Sequence, residues 1–398
     1  MTTSPALSLI VPTRERASYL GYAIRTCTAS ALADLEILVL DNASTDDTPS
    51  VMAGITDPRV RYVRNDRRLS MRDNFEKGIH ESRGAIIGFI GDDDGVMPGA
   101  VESVLALLES GEVDAVSAAR AHYFWPDLLS SRRDTALLPR GRGVATLDAR
   151  EQLRHVLTDN DYYRLPCLYH GFVRRSVVER VMRRQGRFFL SSQVDMFSSI
   201  ALSMEGIRYA FSATPLVVNG ASSRSNGASH FGGGAGAEKA LWKVEDDLGF
   251  LPGFEDCLTV GALIVESAVR YGQANGIADT TRILALEDIQ AALKAEADAR
   301  SAAGQPAERN ERMFATAGVR ASETVGSAAS GRLRRASRMM QAFLRSMPLD
   351  MKTRNIADVH AAAQHLHALH SANRTGLANG TYEQIGTALK MARRNFRG

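Results

Sequence analysis

Through the first 120 residues, short apolar runs alternate with amphipathic stretches of helical length, and this rhythm constrains the fold more than any other feature. Leu7–Val11 (LSLIV), Leu35–Leu40 (LEILVL), Val60–Val63, Ala85–Ile90 (AIIGFI) and Val113–Ala118 read as strands, mostly buried. Between them, Ser18–Ala29 places Tyr19, Leu20, Ala23, Ile24 and Cys27 on one helical face, and Met71–Ser82 and Pro98–Glu109 read as further helices. Thr48 followed by Pro49 reads as an N-cap with proline at the first helical position. Strands alternating with helices of this length predict βαβ units and a mostly parallel sheet.

Residues 120–235 are less regular. They carry aromatic and basic patches (HYFW at 122–125, DYYR at 161–164), helices near Arg174–Arg184 and Val194–Met204, and a strand at Ile207–Phe211. Asn219–Gly236 is rich in glycine and serine and is expected to be a mobile loop. Beyond Glu238 the pattern is helical, apart from a linker-like interval at 300–331. The length of 398 residues fits two or three domains, and a net charge of +3 gives no argument for nucleic acid. Three scattered cysteines provide neither a disulfide framework nor a zinc pattern. The N-terminus lacks a basic leader and no apolar run is long enough to span a bilayer, so a soluble, cytoplasmic protein is expected.

Three of the strands end in polar clusters: Pro12-Thr13-Arg14-Glu15-Arg16, then Asp41-Asn42-Ala43-Ser44-Thr45-Asp46, then Asp92-Asp93-Asp94. In an open α/β sheet the crevice beyond the carboxyl ends of parallel strands takes the ligand. Acceptors for a base and ribose, arginines for phosphate and carboxylates for a hard cation together suit a nucleotide diphosphate. Three adjacent carboxylates repel one another, and the compensating positive charge is expected to arrive with the ligand.

On these residues the N-terminal 235 positions resemble a family 2 glycosyltransferase. LSLIVPTRER, ILVLDNASTDDT, SMRDNFEKGIHESRG, AIIGFIGDDDGVMPG and the later carboxylate of SSQVDMFSS follow the family's pattern in order. The resemblance implies a GT-A, Rossmann-like, mostly parallel sheet flanked by helices over 1–237 (a nucleotide-sugar half, 1–120, and an acceptor half, 121–237). It leaves the C-terminal helical region unexplained; there the residue pattern itself gives a helical extension at 238–299, the linker at 300–331 and a helical segment at 332–398. Two departures stand out. Gly91 replaces a common aspartate, and Arg14-Glu15 replaces an aromatic and an asparagine.

The implied reaction is inverting transfer of a sugar from a nucleotide diphosphate, UDP being expected, to a hydroxyl of a glycan or glycolipid. Mn²⁺ or Mg²⁺ would be the cofactor. The resemblance makes Asp93 the metal ligand, with Asp94 either supporting it from behind or serving as an alternative ligand, and His230 as a late histidine ligand. Nucleotide-sugar contacts fall to Pro12, Thr13, Arg14, Glu15, Arg16, Asp41, Arg72, Asp92, Asp93 and Arg224. Asp195 is the expected general base; its bland reading is a carboxylate favoured by the helix N-terminus, and Glu205 and Asp161 are fallbacks. Asp41 could merely close an Asx-turn, Arg72 could lie on a solvated helix face, and Asn74 reads as a loop brace. His170 could contact either substrate.

His360, His367 and His370 can share a helix face, read as a partly exposed helix rather than a zinc site. Arg332–Arg345 is arginine-rich among apolar residues; it packs against another helix or subunit, a homo-oligomer contact, or lies on the inner face of a membrane. Two other functions fit the acidic strand ends: a sugar-phosphate nucleotidyltransferase and a catalytically silent sugar-nucleotide scaffold. The first lacks its glycine-rich loop, since PTRERASYLGY has no glycine cluster.

Overall fold

The computed structural model describes residues 4–130, 132–159, 162–225, 248–320 and 345–372. Its centre is a parallel block of β1 (Leu7–Thr13), β2 (Leu35–Asp41), β3 (Val60–Arg64) and β4 (Ile86–Phe89), in the order β4-β1-β2-β3. All seven residues of β2 are buried, as expected for an apolar run covered on both faces. The crossovers are α1 (Ala17–Thr28), α2 (Thr48–Ala53) and α3 (Met71–Glu81). Pro12 does not end its strand; β1 continues to Thr13. The N-cap of α2 is Asp47 rather than Thr48, whose N and Oγ1 both donate to Asp46 Oδ1.

The chain continues through β5 (Gly95–Val96), α4 (Ala100–Glu109), β6 (Ala115–Phe124), β7 (Thr135–Pro139) and β8 (Val144–Asp148). The short helices α5 (Ala149–Leu153) and α6 (Val156–Asp159) lead to β9 (Phe172–Arg174), α7 (Arg175–Gln185), α8 (Val194–Met204) and β10 (Arg208–Ala221). β9 joins β4 to β6 by antiparallel pairing, while β10 runs parallel to β6. The expected α/β sheet is thus parallel through the β4-β1-β2-β3 block and extended by mixed strands. β10 reaches Ala221, so the first residues of the glycine- and serine-rich segment are strand; residues 226–247 lie outside the described residues.

β6 changes face partway along. Val116 and Ala118 join the same apolar cluster as Ala121 and Tyr123, which a regular period of two forbids. Its register with β10 shifts between the Ala118–Ser212 and Arg120–Val217 pairs. The irregularity is on the β10 side, where residues 213–216 stand opposite Ala119 alone, and beyond it Ala121 and Tyr123 take the face that Val116 and Ala118 hold before it.

The C-terminal third differs from the expectation in two places. Beyond α9 (Val260–Ala274) and α10 (Leu286–Ala302), the linker-like interval contains α11 (Glu308–Thr316), anchored by buried Met313. The segment 332–398 is not simply helical. Its β11 (Ser346–Asp350) pairs antiparallel with β7, and α12 (Val359–Ser371) packs on α1, burying Val359, Ala362, Ala363 and Leu366 beside the sheet. Apolar residues one helical turn apart, with Asp358 capping through Ala361 N at 2.8 Å, explain that helix. His370 is buried, with Nε2 3.1 Å from Gly141 O. Residues 332–344, most of the arginine-rich stretch, fall outside the described residues. No helix among the described residues is long and apolar enough to cross a membrane.

Candidate active site

Parallel pairing sets Thr13 beside Asp41, so the polar clusters after β1 and β2 meet, and the aspartates after β4 close the same crevice. The first two clusters are stitched by Glu15, which holds a left-handed backbone (φ 54°). Its carboxylate accepts from Thr45 N and Oγ1, both at 3.0 Å, and from Asp46 N at 3.1 Å. Partial burial opposes its ionisation, but the Thr45 hydrogen bonds prevail and hold its pKa below the ordinary value. Asp41 realises the Asx-turn reading: Oδ1 accepts from Ser44 N at 2.9 Å and Oδ2 from Tyr62 Oη at 2.6 Å. Asn74 acts as a brace, its Oδ1 accepting from Asn65 Nδ2 at 2.8 Å. Pro12 lies within β1, and Arg14 is half-buried beside Glu15.

The three aspartates have three different environments. Asp92 accepts from Thr13 Oγ1 at 2.7 Å and from Arg16 Nη1 at 2.8 Å. Part of the compensating charge is therefore already present in the protein, contrary to the expectation that all of it comes with the ligand. Asp93 lies 3.8 Å from Arg16 and accepts from the Ser222 hydroxyl at 2.7 Å and from Ser225 Oγ. Burial and the neighbouring carboxylates outweigh Arg16 and push the Asp93 pKa up to about 6. Trp125 Nε1 donates to its carbonyl oxygen at 2.9 Å and fixes the turn from below.

Of the two roles expected for Asp94, its contacts are those of a support. Oδ2 accepts from Tyr169 Oη at 2.6 Å and Gly91 N at 2.9 Å and lies 2.6 Å from His170 Nε2; Oδ1 accepts from Gly220 N at 2.7 Å. Burial opposes its charge, yet His170 and these donors hold the carboxyl below its ordinary value. Burial lowers the His170 pKa against the pull of Asp94, and Nε2–H donates to the carboxylate, which can only accept. These contacts make Asp94 a brace. They also explain Gly91: a Cβ there would meet Asp94 Oδ2 at 2.5 Å and the Tyr169 hydroxyl at 2.6 Å. Gly220 is constrained likewise by the Asp93 carbonyl pressed against it.

Arg224 donates through Nη1 to Glu15 O, and its own carbonyl accepts from Arg16 Nη2. Arg72 is buried rather than solvated, with Nη2 3.6 Å from Asp73 Oδ1. His230 and Asp161 lie outside the described residues. Among the described residues no group of three or more His, Cys, Asp or Glu side chains forms a ready cage for a metal. The oxygen set at the ledge, Asp93 with the Ser222 and Ser225 hydroxyls, still fits a hard cation that takes its remaining ligands from phosphates and water.

Asp195 stands in the first turn of α8. Its Oδ2 accepts from Tyr162 Oη at 2.6 Å and its Oδ1 from Met196 N at 2.9 Å. The side chain is half-buried. The fallback Glu205 sits at the other end of α8, paired with Arg180 and Arg184. His170 links the two regions, interacting with Asp94, Asp195 and Arg120, whose guanidinium lies 3.4 Å from the Tyr163 ring centroid. The sequence reading missed Tyr162, Tyr169, Arg120, Ser222 and Ser225. The aromatic clusters DYYR and LYHGF were the available signal; Arg120 offered none, because the register break beside it is invisible in the residue pattern.

Residues 8–181 match the profile described as glycosyl transferase family 2. Over 110 residues the chain is 34% identical to GalNAc(5)-diNAcBac-PP-undecaprenol beta-1,3-glucosyltransferase of Campylobacter jejuni, a match covering 27% of this chain and 36% of that protein. The chain spans about a third of the length of the curated relatives it matches. Among solved structures, S. aureus TarS in complex with UDP-GlcNAc is 14% identical over 78% of this chain and 88% of that one, with a TM-score of 0.45. The mannosyltransferase PcManGT of Pyrobaculum calidifontis, in complex with GDP-Man and Mn²⁺, is 16% identical over 93% and 88%, with a TM-score of 0.44.

Proposed function

Residues 8–181 carry a glycosyl transferase family 2 segment, and from that premise we propose that the chain transfers a sugar from a nucleotide diphosphate to an acceptor hydroxyl with inversion at the anomeric carbon. The observation that carries this reading is the pairing of two unlike carboxylate sites. One is the buried Asp92–Asp93 ledge beside Arg16; the other is half-buried Asp195, held by Tyr162 at a helix start.

In this reading the diphosphate lies against the ledge and Asp195 faces the acceptor. Asp195 takes the proton from the acceptor hydroxyl as its oxygen bonds to the anomeric carbon. The carbon–oxygen bond to the diphosphate breaks, and its electron pair leaves with the phosphate. A single displacement of this kind inverts the centre. Arg16 supports the charge that develops on the leaving group. Asp93, with Ser222 and Ser225, would hold Mn²⁺ or Mg²⁺. When bound, that ion supplies Lewis-acid stabilisation of the departing diphosphate.

UDP is the donor nucleotide we favour. A glycan or lipid-linked acceptor is supported by the printed name of the Campylobacter relative, a glucosyltransferase named for a PP-undecaprenol substrate. Screening nucleotide sugars for metal-dependent hydrolysis and thermal stabilisation tests the reading. A protein stabilised by none of them, with or without Mn²⁺, is not this enzyme.

A further inference from the structure

Arg120 is only 8% exposed, and among the described residues its Nη1 has no hydrogen-bond partner. Its guanidinium lies instead on the face of Tyr163. A buried cation without a carboxylate is costly, and proteins accept that cost where a ligand provides the counter-charge. The side chain is placed deliberately. Arg120 follows directly on the register break between β6 and β10, where residues 213–216 stand opposite Ala119 alone, and Ser117 Oγ pins the neighbouring segment through Tyr163 O at 3.3 Å and Leu165 O at 3.0 Å.

The arginine belongs to the Asp195 side of the crevice. Tyr162, Tyr163 and Cys167 each feel both Arg120 and Asp195, whereas the arginine felt at Asp93 is Arg16. The surroundings are also basic: Arg132 lies 5.6 Å from the Phe124 ring centroid, and the ring of His122 stacks on Phe124. His170 adds a second polar atom without a partner among the described residues, Nδ1, which is left as an acceptor once Nε2–H is committed to Asp94. A planar guanidinium with a free edge matches a carboxylate or phosphate, and a bare imidazole nitrogen matches a hydroxyl.

We propose that the acceptor is an acidic sugar, carrying a carboxylate or a phosphate that Arg120 receives while a hydroxyl is presented to Asp195. This rests on the glycosyl-transfer reading given above. Arg120 is then a specificity residue, which explains its burial with Nη1 unpaired among the described residues.

The test titrates glucuronate, glucose 6-phosphate and neutral glucose into the full chain saturated with UDP, which closes the nucleotide site to competing anions. Calorimetry or saturation-transfer NMR reads the affinities. At least one acidic probe should bind about tenfold more tightly than glucose, the scale of one charge-assisted hydrogen bond, and which one binds identifies the group. Arg120→Gln should erase the preference. Arg120→Lys, which keeps the charge and loses the fork, should weaken it, and provides the readout if the neutral variant misfolds. Equal binding of all three probes to the wild type, or an undiminished preference in Arg120→Gln, overturns the proposal. So does a fall in UDP affinity in that variant with the probe preference intact. The titration needs no turnover, so absent glycosyl transfer counts against the enzymatic reading alone. If UDP itself does not bind, the donor reading fails and the probes are titrated into the free protein.

Discussion

The Tyr162 hydroxyl donates to Asp195 Oδ2 at 2.6 Å, from a turn that lies 33 residues earlier in the chain. The other oxygen of the same carboxylate accepts from the N–H of Met196, at the start of α8, where the helix dipole favours negative charge. The carboxylate is thus oriented from both sides. Asp195→Asn should lower transfer by about 10²–10⁴-fold, the usual contribution of a positioned general base, with UDP affinity unchanged. Tyr162→Phe should cost less. Steady-state rates and calorimetry on the same variants check this, and unaltered turnover in Asp195→Asn removes the base assignment.

Asp93 and Asp94 are neighbours with opposite expected phenotypes. Asp94→Asn disturbs a buried acceptor shared by Tyr169, His170, Gly91 and Gly220, and should lower stability by about 1–3 kcal/mol. Asp93→Asn removes a carboxylate whose pKa is raised to about 6. Such an acid costs the fold stability as pH rises from its unfolded value through 6, so the amide should melt at or above the wild-type temperature at pH 7 while losing metal-dependent UDP binding. Thermal melts at pH 7 distinguish the two; similar destabilisation in both would contradict the assignment.

His122 gives a pH signature. Burial, then Arg120, His170 and Arg132, lower its pKa to about 4 against the partial opposition of Asp94. The unfolded chain therefore binds the proton first, and stability falls as pH drops below 6.5 towards 4. His122→Gln should change little at pH 7 and lose about 1–2 kcal/mol less than the wild type on acidification to pH 5. Denaturant titrations at the two pH values measure the difference. Parallel losses in both proteins would refute it.

The C-terminal strand and helix should be indispensable. Removing residues 345–398 uncovers the edge of β7 and exposes the face against which Val359, Ala362, Ala363 and Leu366 pack. The truncated chain should lose its cooperative unfolding transition, and Leu366→Ala alone should cost about 2–5 kcal/mol. A soluble truncation that melts like the full chain would show that this segment is an appendage.

Local features were readable from the sequence and distant ones were not. The buried strands, the helix Val194–Met204 and the meeting of three strand-end clusters follow from apolar runs and turn residues a few positions apart. The two roles left open for Asp94 could not be separated, because its partners Tyr169 and His170 lie more than 70 residues away and a run of three aspartates looks alike from one to the next. Arg120 was hidden by a register break against β10, a strand nearly 100 positions later in the chain. β11 was missed because its five residues, SMPLD, carry a proline and acquire their meaning from β7, more than 200 positions earlier.

The central claim is that the ledge formed by Asp92, Asp93 and Arg16 receives a nucleotide diphosphate together with a divalent ion. Calorimetric titration of UDP into the wild-type chain and into Asp93→Asn, each with Mn²⁺ and with EDTA, tests it most directly. Tight binding is predicted only for the wild type with Mn²⁺, with about tenfold or greater weakening in the other three combinations. Equal affinity in all four would contradict the account.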